Sequence, residues 1–393
     1  MKHLSQSPSD PEFVQNPYAF YDHARAAGPV LFWEDYGMLA AFDHATVHAL
    51  LRDRRLGREV PDDQRKPVPD HLQAFDAVEK HSMLEKEGDG HKRLRGLVLR
   101  AFTSRRIAAL HDDIVEICAE LIAAFPDTPF DLIPAFCTQV PVRVIARLLG
   151  VPEDRSDDLL RWSNAMVAMY QSNRSRAIED AAEIAAAEFA DFLRSYIDTR
   201  RDDPRDDLIT NLIAAEEDGA KLSTDELIGT CVLLLNAGHE ATVHSLGNAV
   251  KTILEQGDSR DFLNPDQIAN TADELLRYDP PLHIFTRYAY EDINLGNQIL
   301  KQGDQIALVL GAAGRDPAMW PHADRFDAAH NAKAHVAFGG GVHFCVGAPL
   351  ARLELQIALP MLFAALPDMR LDATPSYADS YHFHKLETLI VTP

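Results

Sequence analysis

Cysteine is scarce in this chain: four occur among 393 residues, at Cys118, Cys137, Cys231 and Cys345. No two of them form a Cys-x-x-Cys pair, which excludes a zinc-finger spacing and gives no sign of a disulfide framework. The sequence also has no fingerprint for a flavin or nicotinamide cofactor and no cysteine set for an iron–sulfur cluster. Any chemistry of cysteine here therefore belongs to a single residue.

Basic charge and long apolar runs are also lacking. Lysine and arginine number 38 against 60 acidic residues, and the formal net charge of −22 argues against nucleic acid or an anionic membrane as main partner. The longest aliphatic run, TCVLLLNAG, is too short to span a bilayer, and the N-terminus lacks the apolar segment of a signal peptide. We expect a soluble, cytoplasmic protein that binds neither nucleic acid nor membrane.

Helical patterns dominate the rest of the chain. Apolar residues recur at three- and four-residue spacing in four segments, 105–124, 133–149, 176–200 and 350–365. The longest candidate helix covers 223–256, where Ser223 and Glu226 fit a capping box and Gly257 is a plausible C-terminal stop. A helix this long usually runs through the middle of a core.

Strand patterns are few. Residues 29–42 predict a β-hairpin and 293–310 predict further strands, whereas 61–90, rich in proline and charge, predict a long surface loop. No stretch has the composition of a flexible linker. We therefore expect one mainly α domain over residues 1–393, with small β-sheets.

The stretch FGGGVHFCVG, residues 338–347, gives one cysteine an unusual setting. Glycine suits backbone that turns sharply or approaches something closely. Cys345 could be an inert buried thiol, a nucleophile with His343 as its base, or a thiolate ligand of a metal. The first leaves the glycines unexplained, and His343 is poorly placed as a base two residues away in a tight loop. A ligand explains more, because loop amides and the start of the next helix would stabilise a negative sulfur.

The longer stretch FGGGVHFCVGAPLARLE resembles the haem-binding signature of the cytochrome P450 family, the haem-thiolate monooxygenases, in its soluble bacterial type. The resemblance implies a mainly α fold with small sheets, in which haem b lies between a long central helix and the cysteine loop. It implies that Cys345 binds the iron, that Phe338 and Gly347 lie against the cofactor, and that dioxygen is a co-substrate.

Further motifs of the family follow in the expected order. ELLR contains Glu274 and Arg277, which a spacing of three places on one helical face, and ADRFD contains Arg325. By resemblance these three form a network that holds the loop leading to the cysteine. The resemblance also implies haem-propionate contacts from four residues: His91 and Arg95 in HKRLR, Arg287 in FTRYA, and His343.

The stretch LLLNAGHEAT resembles the oxygen-binding segment of the family, with Gly238 and Glu240 in the expected places. The family usually has threonine directly after the acid, and this chain has Ala241. Thr242 follows, but one residue is about 100° around a helix, so it should not face the same point. We hypothesise that a substrate hydroxyl, a water on Glu240, or Ser245 replaces the missing hydroxyl.

The substrate is only coarsely predicted. By resemblance the pocket is lined from the 61–90 loop, 166–170, 232–236, 282–285 and 381–384, which offer Met166, Tyr170, Asn236, His283, Ile284, Phe285 and Phe383. We expect a small to mid-sized, mainly apolar organic molecule held by one polar group.

Electrons must come from another protein, and a local reversal of charge suggests where. Residues 92–106 contain no acidic residue. We expect an acidic ferredoxin, itself reduced by a reductase, to dock there on five basic residues: Lys92, Arg93, Arg100, Arg105 and Arg106. Two alternatives remain open, a peroxide-driven enzyme that needs no redox partner and a haem-binding sensor without turnover. We expect a monomer.

Overall fold

The protein is described from a computed structural model, which covers residues 2–170, 174–217, 220–256, 260–380 and 383–393. Its residues group into two compact units. The first comprises Met1–Gln64, Cys118–Cys137 and Ala241–Pro393, and the second comprises Arg65–Ile117 and Thr138–Glu240.

The helices explain the periodicity of the sequence. In chain order they are α1 (Pro11–Gln15), α2 (Tyr18–Ala27), α3 (His44–Leu50), α4 (Gln73–Glu79), α5 (Gly88–Ala101), α6 (Ser104–Ala109), α7 (His111–Ala123), α8 (Gln139–Leu149), α9 (Ser156–Val167), α10 (Arg176–Asp202), α11 (Leu208–Ala214), α12 (Thr224–Glu255), α13 (Ile268–Tyr278), α14 (Leu310–Gly314) and α15 (Ala348–Ala365).

The strands are short and form small sheets. They are β1 (His3–Leu4), β2 (Val30–Trp33), β3 (Met38–Ala41), β4 (Leu56–Gly57), β5 (Phe130–Asp131), β6 (Glu216–Glu217), β7 (Ala220–Lys221), β8 (Ile284–Ala289), β9 (Ile293–Leu295), β10 (Gln298–Leu300), β11 (Gln305–Val309), β12 (Arg370–Leu371) and β13 (Ile390–Thr392). Three strands pair in the order β12-β13-β5, and β9 with β10 and β6 with β7 form separate ribbons.

The first unit is built on a six-stranded sheet with the order β1-β2-β3-β11-β8-β4. Its central strand β11 pairs in parallel with β3 and antiparallel with β8. Side chains alternate between two buried faces, so that Leu39 and Ile306 join one core while Ala40 and Ala307 join the other. The small alanines leave room on that second face for a cluster of large aromatic side chains, Tyr18, Tyr21, Trp33 and Phe42.

The second unit is helical apart from the β6–β7 ribbon. Trp162 of α9 stacks on Phe189 of α10 with ring centroids 5.0 Å apart. Gly150 ends α8 with a positive φ of 84°, a conformation that favours glycine. A Cβ at Gly238 of α12 would lie 3.2 Å from Ile145 of α8, so the small residue allows these helices to pack closely.

Most predicted elements are present. The capping box of α12 is confirmed, because the amide of Ser223 donates to Glu226 at 2.9 Å and the amide of Glu226 donates to the Ser223 hydroxyl at 3.2 Å. Gly257, its predicted stop, lies outside the described residues. The predicted hairpin at 29–42 is β2 and β3.

Three predictions about regular structure were inaccurate. The segment 61–90 contains α4 and is not a continuous loop. The helix predicted over 105–124 breaks between α6 and α7, and the one over 133–149 begins with a π-helical turn before α8. Pro141 lies in the first turn of α8, where the missing amide hydrogen of proline costs no intrahelical hydrogen bond.

One described helix, α15, is long and apolar enough to cross a membrane by length and composition alone. Half of it is buried inside the protein. Core helices meet the same criterion, so this is weak evidence for a membrane span.

Candidate functional site

The loop that carries Cys345 is closed by its own backbone. The amide of Cys345 donates to the carbonyl of Phe338 at 3.1 Å, and the segment between them makes a short 3₁₀ turn at Gly341–His343. Gly339 and Gly341 have positive φ angles of 70° and 65°. Two residues of the triple glycine therefore have a backbone conformation that other residues rarely adopt.

The glycines also allow close packing against the end of α3. A Cβ at Gly340 would lie 2.8 Å from a guanidinium nitrogen of Arg52, and one at Gly341 would lie 2.5 Å from the carbonyl oxygen of Leu51. These are impossible distances for real carbon atoms without movement. Gly341 in particular is required by the packing of the loop on the backbone after α3, a neighbour that the sequence does not identify.

Cys345 differs from the other cysteines in its accessibility. Cys118, Cys137 and Cys231 are buried, whereas Cys345 is half-buried. Burial raises the pKa of Cys118 and of Cys231 to about 12, with smaller effects of Glu354 and Asp207, and it raises the pKa of Cys137 further. Those three thiols stay protonated at neutral pH. Cys345 is therefore the one cysteine of the chain with a sulfur available for ligation.

The sulfur of Cys345 lies beside the start of α15. Gly347 is the N-cap of this helix, and a Cβ on it would lie 3.8 Å from the Cys345 sulfur. The first amides of a helix carry partial positive charge, which favours a thiolate over a thiol. Pro349 occupies the first turn, where its missing N–H costs nothing.

Glu274 and Arg277, predicted from ELLR, form a fully buried ion pair on α13, and both side chains are 0% exposed. Arg277 binds the carboxylate with two nitrogens, at 2.6 and 2.7 Å. Its remaining donors reach the carbonyl oxygens of Gly314, Ala323 and Arg325 at 2.7–2.9 Å. All five N–H groups of the guanidinium therefore have acceptors.

The third member of this network is His330, and the assignment of that role to the Arg325 side chain is corrected. The side chain of Arg325 is exposed, and only its backbone carbonyl joins the network. His330 Nδ1 lies 3.0 Å from Glu274 and its Nε2 lies 2.7 Å from the carbonyl oxygen of Pro321. His330 thereby connects Glu274 to the backbone at Pro321. No motif identified His330.

A second contact between α13 and the cysteine loop passes through Asp273. Its carboxylate lies 2.6 Å from Arg352 of α15 and 3.3 Å from His335. Burial by itself would raise the pKa of Asp273, but hydrogen bonds from His335 and Arg352 outweigh that effect and lower it. The Arg352 guanidinium stands 4.6 Å above the ring of Phe338. Phe338 is thereby held in place at the start of the loop.

Strand β8 carries two further predicted residues. Phe285, predicted for the substrate pocket, packs against the loop, because a Cβ at Gly339 would lie 3.1 Å from its ring. Arg287 is buried and donates to the carbonyl of Thr286 at 2.8 Å. His343 is half-buried in the loop itself. Strand and loop are thus anchored together within the first unit.

The middle of α12 has an open face. The residues on either side of this stretch are buried, but Ala237 is exposed and Gly238, Glu240 and Ala241 are half-buried. Ala237 and Ala241 are one turn apart and so share a face. A core helix that leaves this face uncovered, with only methyl groups on it, has room for a large flat group or a ligand.

Thr242 does not share that face, since its side chain is buried where Ala241 is half-buried. Ser245, one turn beyond Ala241, donates its hydroxyl hydrogen to the Ala241 carbonyl at 2.8 Å. Glu240 lies beside His239, with 3.8 Å between carboxylate oxygen and ring nitrogen. Ser245, one of the proposed substitutes for the missing threonine, therefore already donates its hydroxyl hydrogen to a backbone carbonyl.

Helix α5 carries the HKRLR motif. His91 is buried and Arg95 is half-buried one turn later, on the same side of the helix. Lys92, Arg100 and Arg105 are exposed, whereas two further basic residues of the predicted patch are engaged. Arg93 forms an ion pair with Glu226, and Arg106 forms one with Asp206 at 2.6 Å. Two of the five predicted contacts are therefore in ion pairs within the second unit.

Three predicted pocket residues lie in the second unit. The Asn236 amide nitrogen is 4.0 Å from the Met166 sulfur, and its buried carbonyl oxygen has no hydrogen-bond partner among the described residues. Tyr170 is exposed and donates to Glu79 at 3.2 Å. Burial raises the pKa of Glu79 to about 7, and this hydrogen bond opposes the rise.

Three more predicted pocket residues lie in the first unit and line a solvent-open cavity: His283, Ile284 and Phe383. The ring of Phe383 also meets that of His244 at 5.7 Å. Tyr381 and His382, in the same predicted segment, lie outside the described residues. His283 is also a buried member of a polar cluster with Asp279 and His384.

Fold and site together define a mainly α protein with one accessible thiol beside a helix N-terminus. A sequence profile described as "Cytochrome P450" matches residues 268–366. The vitamin D(3) 25-hydroxylase of Pseudonocardia autotrophica is 36% identical over 370 residues, covering 91% of this chain and 88% of its own. The biotin biosynthesis cytochrome P450 of Bacillus subtilis (strain 168) is 33% identical over 399 residues, covering 99% of each.

Solved structures agree with these relatives. A crystal structure of P450BioI, in complex with an acyl carrier protein ligated to hexadec-9Z-enoic acid, superposes with a TM-score of 0.90 at 32% identity, covering 97% of this chain and 99% of that one. The chain belongs to the cytochrome P450 family. It is a monooxygenase, an oxidoreductase that uses haem and incorporates oxygen from dioxygen.

The residues present fit a thiolate-bound haem. A soft thiolate at a helix start is a suitable axial donor for iron, and the other three cysteines are buried and protonated. The open methyl-lined face of α12 is compatible with a flat apolar ring. Two different parts of the chain therefore meet the needs of this cofactor.

Proposed function

We propose that this protein is a haem b monooxygenase that inserts one oxygen atom into a small to mid-sized, mainly apolar organic substrate, with electrons from a ferredoxin and its reductase. The observation that carries the proposal is the Cys345 loop, where one half-exposed thiol lies beside the start of α15. Residues 1–393 would act as one functional domain in a soluble, cytoplasmic monomer.

In this proposal Cys345 is the iron ligand, and His91, Arg95, Arg287 and His343 hold the propionates. The cationic groups among them suit carboxylates. When bound, the haem supplies the activation of dioxygen. The start of α15 beside the sulfur would favour the thiolate form, and the pair of Glu274 and Arg277 would fix the segment that leads to the loop. Phe338 and Gly347 would shape the thiolate side of the cofactor.

Proton delivery would differ from that of relatives with threonine at this place. Glu240 is the acid of the stretch, and Ala241 gives no hydroxyl. Ser245 donates to a backbone carbonyl, so a hydroxyl of the substrate or a water held by Glu240 is the better candidate. Gly238 and Thr242 contribute backbone and packing in this account, since Thr242 is buried.

The substrate would be anchored at Asn236. Its buried carbonyl oxygen has no partner among the described residues, and an unpaired buried acceptor is unfavourable by about 1–3 kcal/mol. A hydroxyl or amide hydrogen of the substrate would satisfy it, while Met166 supplies apolar contact. Relatives named for vitamin D(3) and mycinamicin IV hydroxylation support a mainly apolar substrate with polar groups.

The redox partner would dock at the exposed basic residues of α5 and α6. Lys92, Arg100 and Arg105 are exposed there, in a chain of net charge −22. Leu99 is exposed among them and would give an apolar contact within the charged ring. Arg93 and Arg106 form ion pairs with Glu226 and Asp206, so these two would have to exchange partners to take part in the interface.

The test of the proposal is the spectrum of the reduced, carbon monoxide-bound protein. Wild-type protein supplied with haem should show the thiolate-type absorbance, and Cys345→Ser should lose it together with turnover. Cys118→Ser is the matched control and should keep both, since the Cys118 thiol is buried and protonated. A colourless wild type, or a Cys345→Ser variant that retains the absorbance, would refute the assignment.

A peroxide-driven enzyme is the second candidate, and Ala241 is the observation that favours it. Turnover with hydrogen peroxide alone should be compared with turnover supported by ferredoxin and reductase, in wild type and in Ala241→Thr. If the proposal holds, wild type couples electrons to product on its true substrate, and threonine brings little gain. If wild type turns over only with peroxide, the redox-partner assignment is wrong.

A further inference from the structure

A second cluster of ligand-type side chains lies in the first unit, apart from Cys345. Asp279 directly follows α13, His283 precedes β8, and His384 lies near the C-terminus. All three are buried. One ligand atom of each lies within 4.8 Å of one from each of the others. The phenol of Tyr18, from α2, joins the same group at 2.6 Å from Asp279.

The distances between the donor atoms approach those of a tetrahedral metal site. Asp279 Oδ1 lies 2.6 Å from Tyr18 Oη, 2.8 Å from His384 Nδ1 and 3.7 Å from His283 Nε2. Tyr18 Oη lies 3.3 Å from His283 Nε2. Zinc bonds of roughly 2.0–2.1 Å to nitrogen and oxygen imply edges of roughly 3.3 Å. The four measured edges bracket that value, so small movements would suffice.

The groups behind the donors are those that support metal ligands. His283 Nδ1 lies 3.2 Å from the phenol of Tyr21, and the phenol of Tyr377 donates to Asp279 Oδ2 at 2.8 Å. The ring of Tyr377 also stacks on that of His384 at 3.6 Å. Hydrogen bonds of this kind fix the orientation of imidazole and carboxylate ligands.

His384 has one nitrogen to spare. Its Nδ1 contacts Asp279, but its buried Nε2 has no hydrogen-bond partner among the described residues, although the ring is only 7% exposed. Both His384 and His283 line a solvent-open cavity. With its proton on Nε2, the His384 imidazole can offer the Nδ1 lone pair to a cation.

Charge and protonation also suit a cation here. Burial, and then the charge of His384, lower the pKa of His283 to about 4, so His283 is neutral and free to ligate at pH 7. The pKa of Asp279 is held well below its usual range, because its two histidine neighbours outweigh the effect of burial. The ionised carboxylate of Asp279 and the neutral imidazole of His283 are the forms that bind metals.

We propose that Asp279, His283 and His384, with the phenol of Tyr18 as fourth donor, bind one divalent transition-metal ion of the zinc class. Binding forms four coordinate bonds and displaces the hydrogen shared by His384 Nδ1 and Asp279, which moves to His384 Nε2, and it releases the Tyr18 proton to solvent. No redox change is involved. The proposal is independent of the haem chemistry of Cys345.

One neighbour weakens the site. The guanidinium of Arg315 stands 3.3 Å above the ring of Tyr18, and its charge opposes a second cation. We therefore expect a dissociation constant on the order of 1 µM, weaker than that of a structural zinc site. Occupancy would also tie α2, the end of α13 and the C-terminal segment together, because each supplies a ligand.

The experiment titrates Zn²⁺ into haem-loaded, chelator-treated protein against a chromogenic chelator at pH 7.5. Wild type should bind one ion per chain. His283→Gln and His384→Gln should each weaken binding by at least about tenfold. His111→Gln is the matched control, because His111 lies on α7 beside Asp112 and outside the cluster, and it should bind like wild type. The haem absorbance and the thermal midpoint of each variant report whether it is folded.

A second measurement decides the matter even if a cluster variant fails to fold. Crystals of wild-type holoprotein soaked in Zn²⁺ should give an anomalous-diffraction peak between Asp279, His283 and His384. The proposal is wrong if no such peak is seen, if wild type binds no ion more tightly than roughly 100 µM, or if His111→Gln weakens binding as much as the cluster variants do.

Discussion

Two buried polar clusters lie at the C-terminal end of α13, and they differ in how fully their hydrogen bonds are satisfied. In the first, all five donors of Arg277 have acceptors, and Glu274 also accepts from His330 and from the amide of Asp327. In the second, around Asp279, one ring nitrogen of His384 has no partner among the described residues. Two members of the second cluster, His283 and His384, also line a solvent-open cavity.

This difference in hydrogen-bond satisfaction distinguishes a polar cluster that stabilises the fold from one that can bind a ligand. A buried cluster whose hydrogen-bonding groups all have partners cannot bind a ligand without breaking those bonds. Its role is to fix the segments that supply its acceptors. Here those segments run from Gly314 to His330, on the way to Cys345. A cluster beside solvent in which one hydrogen-bonding group lacks a partner can use that group to bind a ligand. Substitutions in the two clusters should therefore have different consequences.

The largest effect is expected from Arg277→Ala. Removing the guanidinium leaves the Glu274 carboxylate buried and three carbonyl groups without a donor, which should lower the free energy of unfolding by about 3–5 kcal/mol. The yield of haem-containing protein and its thermal midpoint measure this. Arg277→Lys keeps the charge but not the five donors, and should recover only part of the loss. Near wild-type stability in the alanine variant would show that the network is dispensable.

A smaller effect, dependent on pH, is expected from His283→Gln. Burial lowers the pKa of His283 to about 4 in the folded protein. Between about pH 6.5 and pH 4, His283 is therefore protonated in the unfolded chain and neutral in the folded chain. Folded-state stability from this group is complete above pH 6.5 and is lost as the pH falls toward 4, by on the order of 3 kcal/mol. Asp279, whose pKa is lowered, contributes a constant amount over that range.

The measurement is the thermal midpoint of wild type and of His283→Gln between pH 7.5 and 4.5, without added metal. Wild type should lose stability on acidification, and the variant should lose less. His111→Gln should follow wild type. Parallel curves for wild type and His283→Gln would mean that His283 is not held neutral.

The smallest effect is expected from His330→Ala. It removes one donor to Glu274 and one to the Pro321 carbonyl, but leaves the Arg277 pair intact, so we expect a loss of about 1–3 kcal/mol in the free energy of unfolding. His330→Arg restores several hydrogen-bond donors and should recover most of the loss. An arginine variant no more stable than the alanine variant would contradict the hydrogen-bonding role assigned to His330.

Local patterns predicted the parts of the molecule that depend on near neighbours. The capping box of α12 and the i,i+3 pair of Glu274 and Arg277 are set by spacing along one helix, and both are present. The assignment of Arg325 was wrong because a side chain in a loop can turn either way, and here it turns to solvent while its carbonyl turns inward. His330 and the Asp279 cluster were missed because their partners are far apart in sequence.

The sequence by itself determined the family, the single candidate thiolate and the run of long helices, since a continuous motif and a helical period are properties of adjacent residues. Only the tertiary structure decided which polar groups are saturated. His283 and His384 are 101 positions apart, and their ring centroids lie 4.5 Å apart only after α13, β8 and the C-terminal segment pack together. Which groups are buried, and which of them have hydrogen-bond partners, depends on that packing, so a local sequence pattern cannot predict it.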